Sequence, residues 1–134
     1  MDIHDYSPAL TARRFEAGTP PVPSTYAAIA GIELMQEIGV AETEAHVREL
    51  NGLLRDGLEQ LGATVVTPRE PERSGALLCV RSTDVNALVA ALEEEGIVTS
   101  CRDDNLRISA HCYNTADDVQ AVLDALTANR QLLG

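Results

Sequence analysis

Lysine is absent from this chain: all ten basic residues are arginine. A guanidinium stays protonated, so no side chain here can form a Schiff base with a carbonyl compound. Cysteine is scarce as well. Cys79, Cys101 and Cys112 are odd in number and show no Cys-x-x-Cys spacing, which argues against a disulfide framework or a zinc site and for a reducing compartment. Positive charge is in short supply: 21 acidic against 10 basic residues leave a formal charge of −11. That balance disfavours nucleic acid or an anionic membrane as a partner, although a local basic pocket is compatible with it. Long apolar runs are missing too. The longest, Tyr26 to Ile32, falls far short of the ~20 residues of a membrane span. The polar opening from Met1 to Leu10, with Asp2, His4, Asp5 and Pro8, is unlike a signal peptide. The expectation is a cytoplasmic protein.

What is present is enough for one folded domain. A chain of 134 residues buries roughly two-thirds of its unfolded surface, sufficient for a core without staples. Hydrophobic content of 45% and charged content of 23% argue against wholesale disorder. Pro8, Gly18, Pro20, Pro21 and Pro23 crowd residues 1–23, which read as an extended N-terminal arm. Ser24 then serves as N-cap of a helix to Ile38, stopped by Gly39. That helix is apolar nearly all round, which predicts burial on more than one side. A second helix is expected from Glu42 to Leu61, with Val47, Leu50, Leu54, Leu58 and Leu61 as a one-faced stripe.

Beyond Gly62 the period changes. Ala63 to Thr67 and Ala76 to Ser82 are short apolar or β-branched runs that read as strands. Asp84 to Glu95 is helical, with Val85, Leu88, Val89 and Leu92 inward and Gly96 at the C-terminal stop. Ile97 to Arg102 and Asn105 to Ser109 form two more strands. The turn at Asp103-Asp104 is too short for anything but an antiparallel hairpin. Thr115 and Asp118 start a last helix, whose core face is Val119, Val122, Leu123 and Leu126. After two helices the order is therefore β-β-α-β-β-α: an α+β fold with a small antiparallel sheet covered by helices on one face.

Two segments carry chemistry. In the first, Gly18 and Thr19 precede a helix and can offer backbone N–H groups and a hydroxyl to a phosphate; on composition alone a Gly-Thr before prolines is also an ordinary loop. In the second, Leu106, Ile108 and Ala110 alternate with Arg107, Ser109 and His111, so a strand shows apolar residues on one face and polar ones on the other. Arg107 has the planar fork that recognises a carboxylate bidentately, while a lone strand arginine is also commonly solvated or salt-bridged. Arg102 either joins the same pocket or pairs with Asp103 or Asp104. His111 and Cys112 are neighbours on an expected extended backbone, which would point them to opposite sides and keep thiol and imidazole apart.

Together, Arg14-Phe15-Glu16-Ala17-Gly18-Thr19 and Leu106-Arg107-Ile108-Ser109-Ala110-His111-Cys112-Tyr113-Asn114-Thr115, about ninety residues apart, resemble the C-terminal portion of class V aminotransferases. These are fold-type I pyridoxal-phosphate enzymes that include cysteine desulfurases and kynureninases. The resemblance implies a C-terminal (small) domain over residues 24–134, following the 1–23 arm, and agrees with the α+β pattern. It implies that Gly18 and Thr19 contact the cofactor phosphate of a partner subunit, with Arg14 and Glu16 structural. It makes Arg107 the anchor of an amino-acid substrate's α-carboxylate, with Asn114 and Thr115 fixing the turn into the last helix.

The same resemblance implies pyridoxal phosphate as cofactor of the intact parent enzyme, a large domain bearing the Schiff-base lysine, and a homodimer. With no lysine, this chain is expected to hold no cofactor covalently and to be catalytically incompetent alone. Two departures stand out. The loop after Thr19 runs Pro20-Pro21-Val22-Pro23, where the family often has Pro-Asn and glycines. Cys101 lies six residues before Arg107, inside an expected strand, unlike a desulfurase nucleophile on a mobile loop. A transaminating, epimerising or lyase parent fits better. The alternative is a free-standing module that binds small carboxylates or another protein after losing the catalytic domain.

Overall fold

The structure, a computed structural model, describes residues 7–16 and 18–134; residues 1–6 and Ala17 of the expected arm lie outside the described residues. The chain divides into two compact units, one ending at Gly39 and one spanning Val40–Gly134.

In the first unit, Ala12–Phe15 forms a short 3-10 turn whose start is capped by Thr11. Helix α1, Val22–Ile38, has Pro21 at its N-cap position, three residues before the expected N-cap Ser24. Pro23 is tolerated there because a first-turn N–H has no intrahelical partner to lose. The helix stops at Gly39, whose φ of 97° is open to glycine and whose N–H bonds to Met35 O at 3.0 Å. None of the α1 residues is buried by this chain, and Tyr26 and Ile32 are 71% and 58% exposed.

The second unit holds the core. Helix α2, Val40–Gln60, buries Val47, Leu50, Leu54 and Leu58, the stripe expected from their three- and four-residue spacing. Its end at Gly62 and the end of α3 (Val85–Glu94) at Gly96 are built alike. In each, a left-handed glycine and the following residue turn their N–H groups back onto the last helical carbonyls. Asp84 caps the start of α3 by accepting the Ala87 N–H.

Strands β1 (Leu77–Arg81), β2 (Ser100–Arg102) and β3 (Asn105–Ser109) make an antiparallel sheet in the order β1-β3-β2. Leu78, Val80, Leu106 and Ile108 point to its covered face. There they meet Leu54 and Leu58 of α2, Leu88 and Leu92 of α3, and Val122 and Leu126 of α4 (Ala116–Ala128).

The strands differ from expectation at two places. Ala63 to Thr67 shrinks to a single antiparallel bridge, Val65 to Val80. The Thr67 hydroxyl takes the next ladder positions, accepting from Cys79 N at 2.9 Å and donating to Leu77 O at 3.3 Å. The Arg55 guanidinium captures the Thr67 and Pro68 carbonyls, and Pro68 has no N–H to continue with. Strand β2 starts at Ser100 rather than Ile97 because the Ile97 N–H is committed to Leu92 O at the end of α3. Among the described residues no helix is long and apolar enough to cross a membrane.

Helices α2 and α4 approach closely at Gly57, where a β-carbon would collide with the Leu123 side chain. A mid-helix glycine costs about 1 kcal/mol relative to alanine, so its use here reflects the packing. Gly57→Val should destabilise the domain by about 1–3 kcal/mol through overpacking. Gly57→Ala should cost less, because gained helix propensity offsets part of the clash. Urea unfolding midpoints of the two variants check this; a neutral Gly57→Val would remove the close-approach argument.

Candidate functional site: the arginine face of the sheet

The sheet's second face has no helix over it within this unit, and its chemistry follows from register. Directly opposite residues on antiparallel strands share a face. Cys79, Arg107 and Ser100 therefore form one row across the sheet, and Arg81, Asn105 and Arg102 the next. Burial alternates accordingly along β3, with Leu106 and Ile108 buried and Arg107 half-buried. Arg107 thus stands on the central strand, between the short side chains of Cys79 and Ser100, with Ser109 two residues along. Among the described residues its guanidinium has no hydrogen-bond or ion-pair partner.

Arg102 shares that face and is exposed. The expected alternative, an ion pair with Asp103 or Asp104, does not form: Asp104 lies 3.9 Å from Arg81 instead. Asp103 holds the first position of the hairpin turn at φ 52°, a left-handed conformation that aspartate tolerates better than most residues. Cys101 faces the other way. It pairs with Leu106, packs against the core, and its thiol lies 3.7 Å from Asn86 Oδ1.

After Ser109 the backbone leaves the sheet, which corrects one expectation. His111 and Cys112 do meet: the imidazole Nδ1 is 3.1 Å from the Cys112 sulfur. The opposite-sides rule applies only within a strand, and Cys112-Tyr113 is already a turn. His111 also stacks on Tyr113, ring centroids 5.4 Å apart.

Asn114 closes this turn, its N–H donating to His111 O and its Oδ1 accepting from His111 N at 2.9 Å. Thr115 and Asp118 form the reciprocal capping box of α4. Sequence reasoning missed His46, whose Nε2 donates to the Asn114 carbonyl at 2.8 Å and ties the turn to α2; a contact across 68 residues leaves no local signal. It also missed a cleft of about 350 Å³ behind the turn, lined by Leu54, Ile97, Thr99, Ser109, Tyr113 and Asp118 among others. Arg107 is not in its wall, although Ser109, two residues along β3, is.

Gly18 and Thr19 lie in the first unit, exposed, just before Pro21 at the start of α1. Nothing lies within 4 Å of where a Gly18 β-carbon would be. No side chain caps α1, so its N-terminal dipole is unopposed by a local acceptor. Arg14 lies over the Phe15 ring at 5.0 Å and Glu16 is 4.0 Å from Arg13, both local contacts.

Residues 1–122 match the family model "Aminotransferase class-V". A probable cysteine desulfurase from Pseudomonas aeruginosa is 33% identical over 89% of this chain and 33% of its own length. The chain belongs to the class V aminotransferase family of fold-type I pyridoxal-phosphate enzymes. A kynureninase from Salinispora tropica is 31% identical over 90% of the chain and 30% of its own length. The apo cysteine desulfurase of Thermococcus onnurineus superposes with a TM-score of 0.83 at 21% identity. It covers 97% of this chain and 36% of that one, a likeness that shows the fold. The chain spans about a third of the length of the curated relatives it matches.

The turn before α4 has a pH signature. Asp118 is held below the usual carboxylate range, first by the Thr115 backbone N–H and then by the Asn114 amide. A depressed folded value means the cap stabilises fully above the unfolded value and is lost as pH falls through the folded one. Asp118→Asn should therefore flatten the acid limb of stability against pH. Asn114→Ala should move the Asp118 titration part-way back up, read by carboxyl NMR. An Asp118 that titrates in the ordinary range would contradict the capping geometry.

Proposed function

We propose that this chain is the C-terminal small domain of a class V aminotransferase-like enzyme acting on an amino acid. In this reading residues 24–134 form the domain, and Arg107 receives the substrate α-carboxylate. The observation that carries it is the placement of Arg107: central strand, open face, short neighbours, no partner among the described residues. A planar fork held on a rigid strand is suited to bidentate recognition of a carboxylate. The same position lies within the Leu106–Thr115 segment that resembles the family.

Pyridoxal phosphate would supply electron withdrawal from the substrate's Cα substituents in the whole enzyme. This chain's residues fit the edge of that group and not its anchor. The open backbone at Gly18, the exposed Thr19 hydroxyl and the uncapped start of α1 suit a phosphate; no side-chain amine exists to hold an aldehyde. Here the role of these residues is to bind phosphate and orient a carboxylate, while the proton-transferring group belongs to a domain outside this sequence.

Arg107→Lys, introduced into an enzyme that contains this domain, keeps the charge and loses the bidentate geometry. A charge-assisted hydrogen bond contributes about 1.5–3 kcal/mol, so kcat/KM for amino-acid substrates should fall about ten- to a hundredfold or more. Unchanged kinetics would remove Arg107 from the site.

The exposed apolar side chains of α1, with Tyr26, Ile29, Ile32 and Leu34 all at 48% or more, call for a cover. A twofold dimer with α1 at its interface provides one, since soluble monomers seldom expose large contiguous apolar patches. Light scattering at micromolar concentration should report twice the chain mass; a strict monomer would contradict it.

A further inference from the structure

Three arginines, Arg81, Arg102 and Arg107, stand on the open face, and Asp104 approaches only the first. Arg107 lies opposite Ser100, and Arg102 is two residues along the same strand, β2. Arg102 and Arg107 are thus diagonal neighbours, with Cα atoms about 7–8 Å apart, within reach of two long side chains. Such a pair repels unless something negative lies between or beside it.

The chain has ample means to neutralise both, with 21 acidic residues, and does so for most other arginines of the unit. Arg48 pairs with Glu44, Arg69 with Glu59, Arg73 with Glu70, and Arg81 approaches Asp104. Arg55 is held by two backbone carbonyls. Among the described residues Arg102, Arg107 and Arg130 have no such partner, and of these Arg102 and Arg107 share a face, together with Arg81, which Asp104 approaches. Even the acids of the adjoining turn leave Arg102 unpaired, Asp104 lying instead near Arg81.

We propose that Arg102 and Arg107 form a two-point anion clamp, and that the substrate carries a second carboxylate beyond its α-carboxylate. The inference rests on the reading of Arg107 given under the proposed function and adds the substrate class: an acidic amino acid. The half-buried Arg107 holds the carboxylate nearest the sheet, and the exposed Arg102 at the edge strand takes the distal one. Two forks at fixed separation select for the distance between two anionic groups, which a single arginine cannot do. Arg102 acts here as a specificity-determining residue.

The test is an NMR titration of the ¹⁵N-labelled 134-residue chain, following the guanidinium Nε–H signals of both arginines. Succinate and glutarate are compared with propionate and butyrate, and with inorganic phosphate. The dicarboxylates should bind about tenfold or more tighter than the monocarboxylates. Arg102→Gln should bring them down to the monocarboxylate level while the propionate titration at Arg107 persists; Arg102→Lys should keep part of the advantage.

Retained amide dispersion in each variant confirms the fold. Equal affinity for the two ligand classes, an advantage that survives Arg102→Gln, or tighter binding of phosphate than of succinate at Arg102 would overturn the clamp. Each of these leaves the Arg107 reading standing. Propionate binding unaffected by Arg107→Gln would instead remove the Arg107 reading itself, and the clamp with it.

Discussion

The alternation of Leu106, Arg107 and Ile108 on the central strand is the constraint on which both core and site depend. Its even-numbered members are buried against the helices, and the odd one is carried to the opposite face with no freedom to choose. A slip of one residue would bury a guanidinium and expose two branched apolar side chains. The register is therefore strongly specified by the hydrophobic face, and the position of Arg107 inherits that precision. An arginine placed this way needs no salt bridge to hold it.

The segments that flank the strand are fixed by local devices rather than by burial. Left-handed glycines at 62 and 96 end their helices and redirect the chain within two residues. Asp103 reverses the hairpin beside Arg102. The Asn114–Asp118 hydrogen bonds fix where β3 gives way to α4, and His46 ties that point to α2. These devices set the ends of β2 and β3, and so determine which polar side chains stand on the open face.

Much of this was legible in the sequence because its signals are short-range. The α2 stripe, the Asp84 and Thr115 caps, the Gly39, Gly62 and Gly96 stops and the two-residue hairpin all depend on residues within a turn or two of one another. Two readings failed where a distant or non-repetitive partner decided. Thr67 spends its hydroxyl on β1, so the expected first strand is one bridge. His111 and Cys112 meet because the chain leaves the sheet one residue before them.

By itself the sequence determined the order of the elements apart from the first expected strand, the apolar face of each element from α2 onward and the side of the sheet on which Arg107 stands. Each of these follows from a periodicity of two or 3.6 read against local stop signals. The absence of lysine likewise determined that no aldimine forms on a side chain of this chain. Only the tertiary structure decided that β3 runs between β1 and β2, that Arg81 and not Arg102 has Asp104 beside it, and that His46 holds the turn before α4. Those depend on which strands lie edge to edge and which side chains meet across dozens of residues. Such pairings leave no period in the chain, because they are selected by packing the whole core at once.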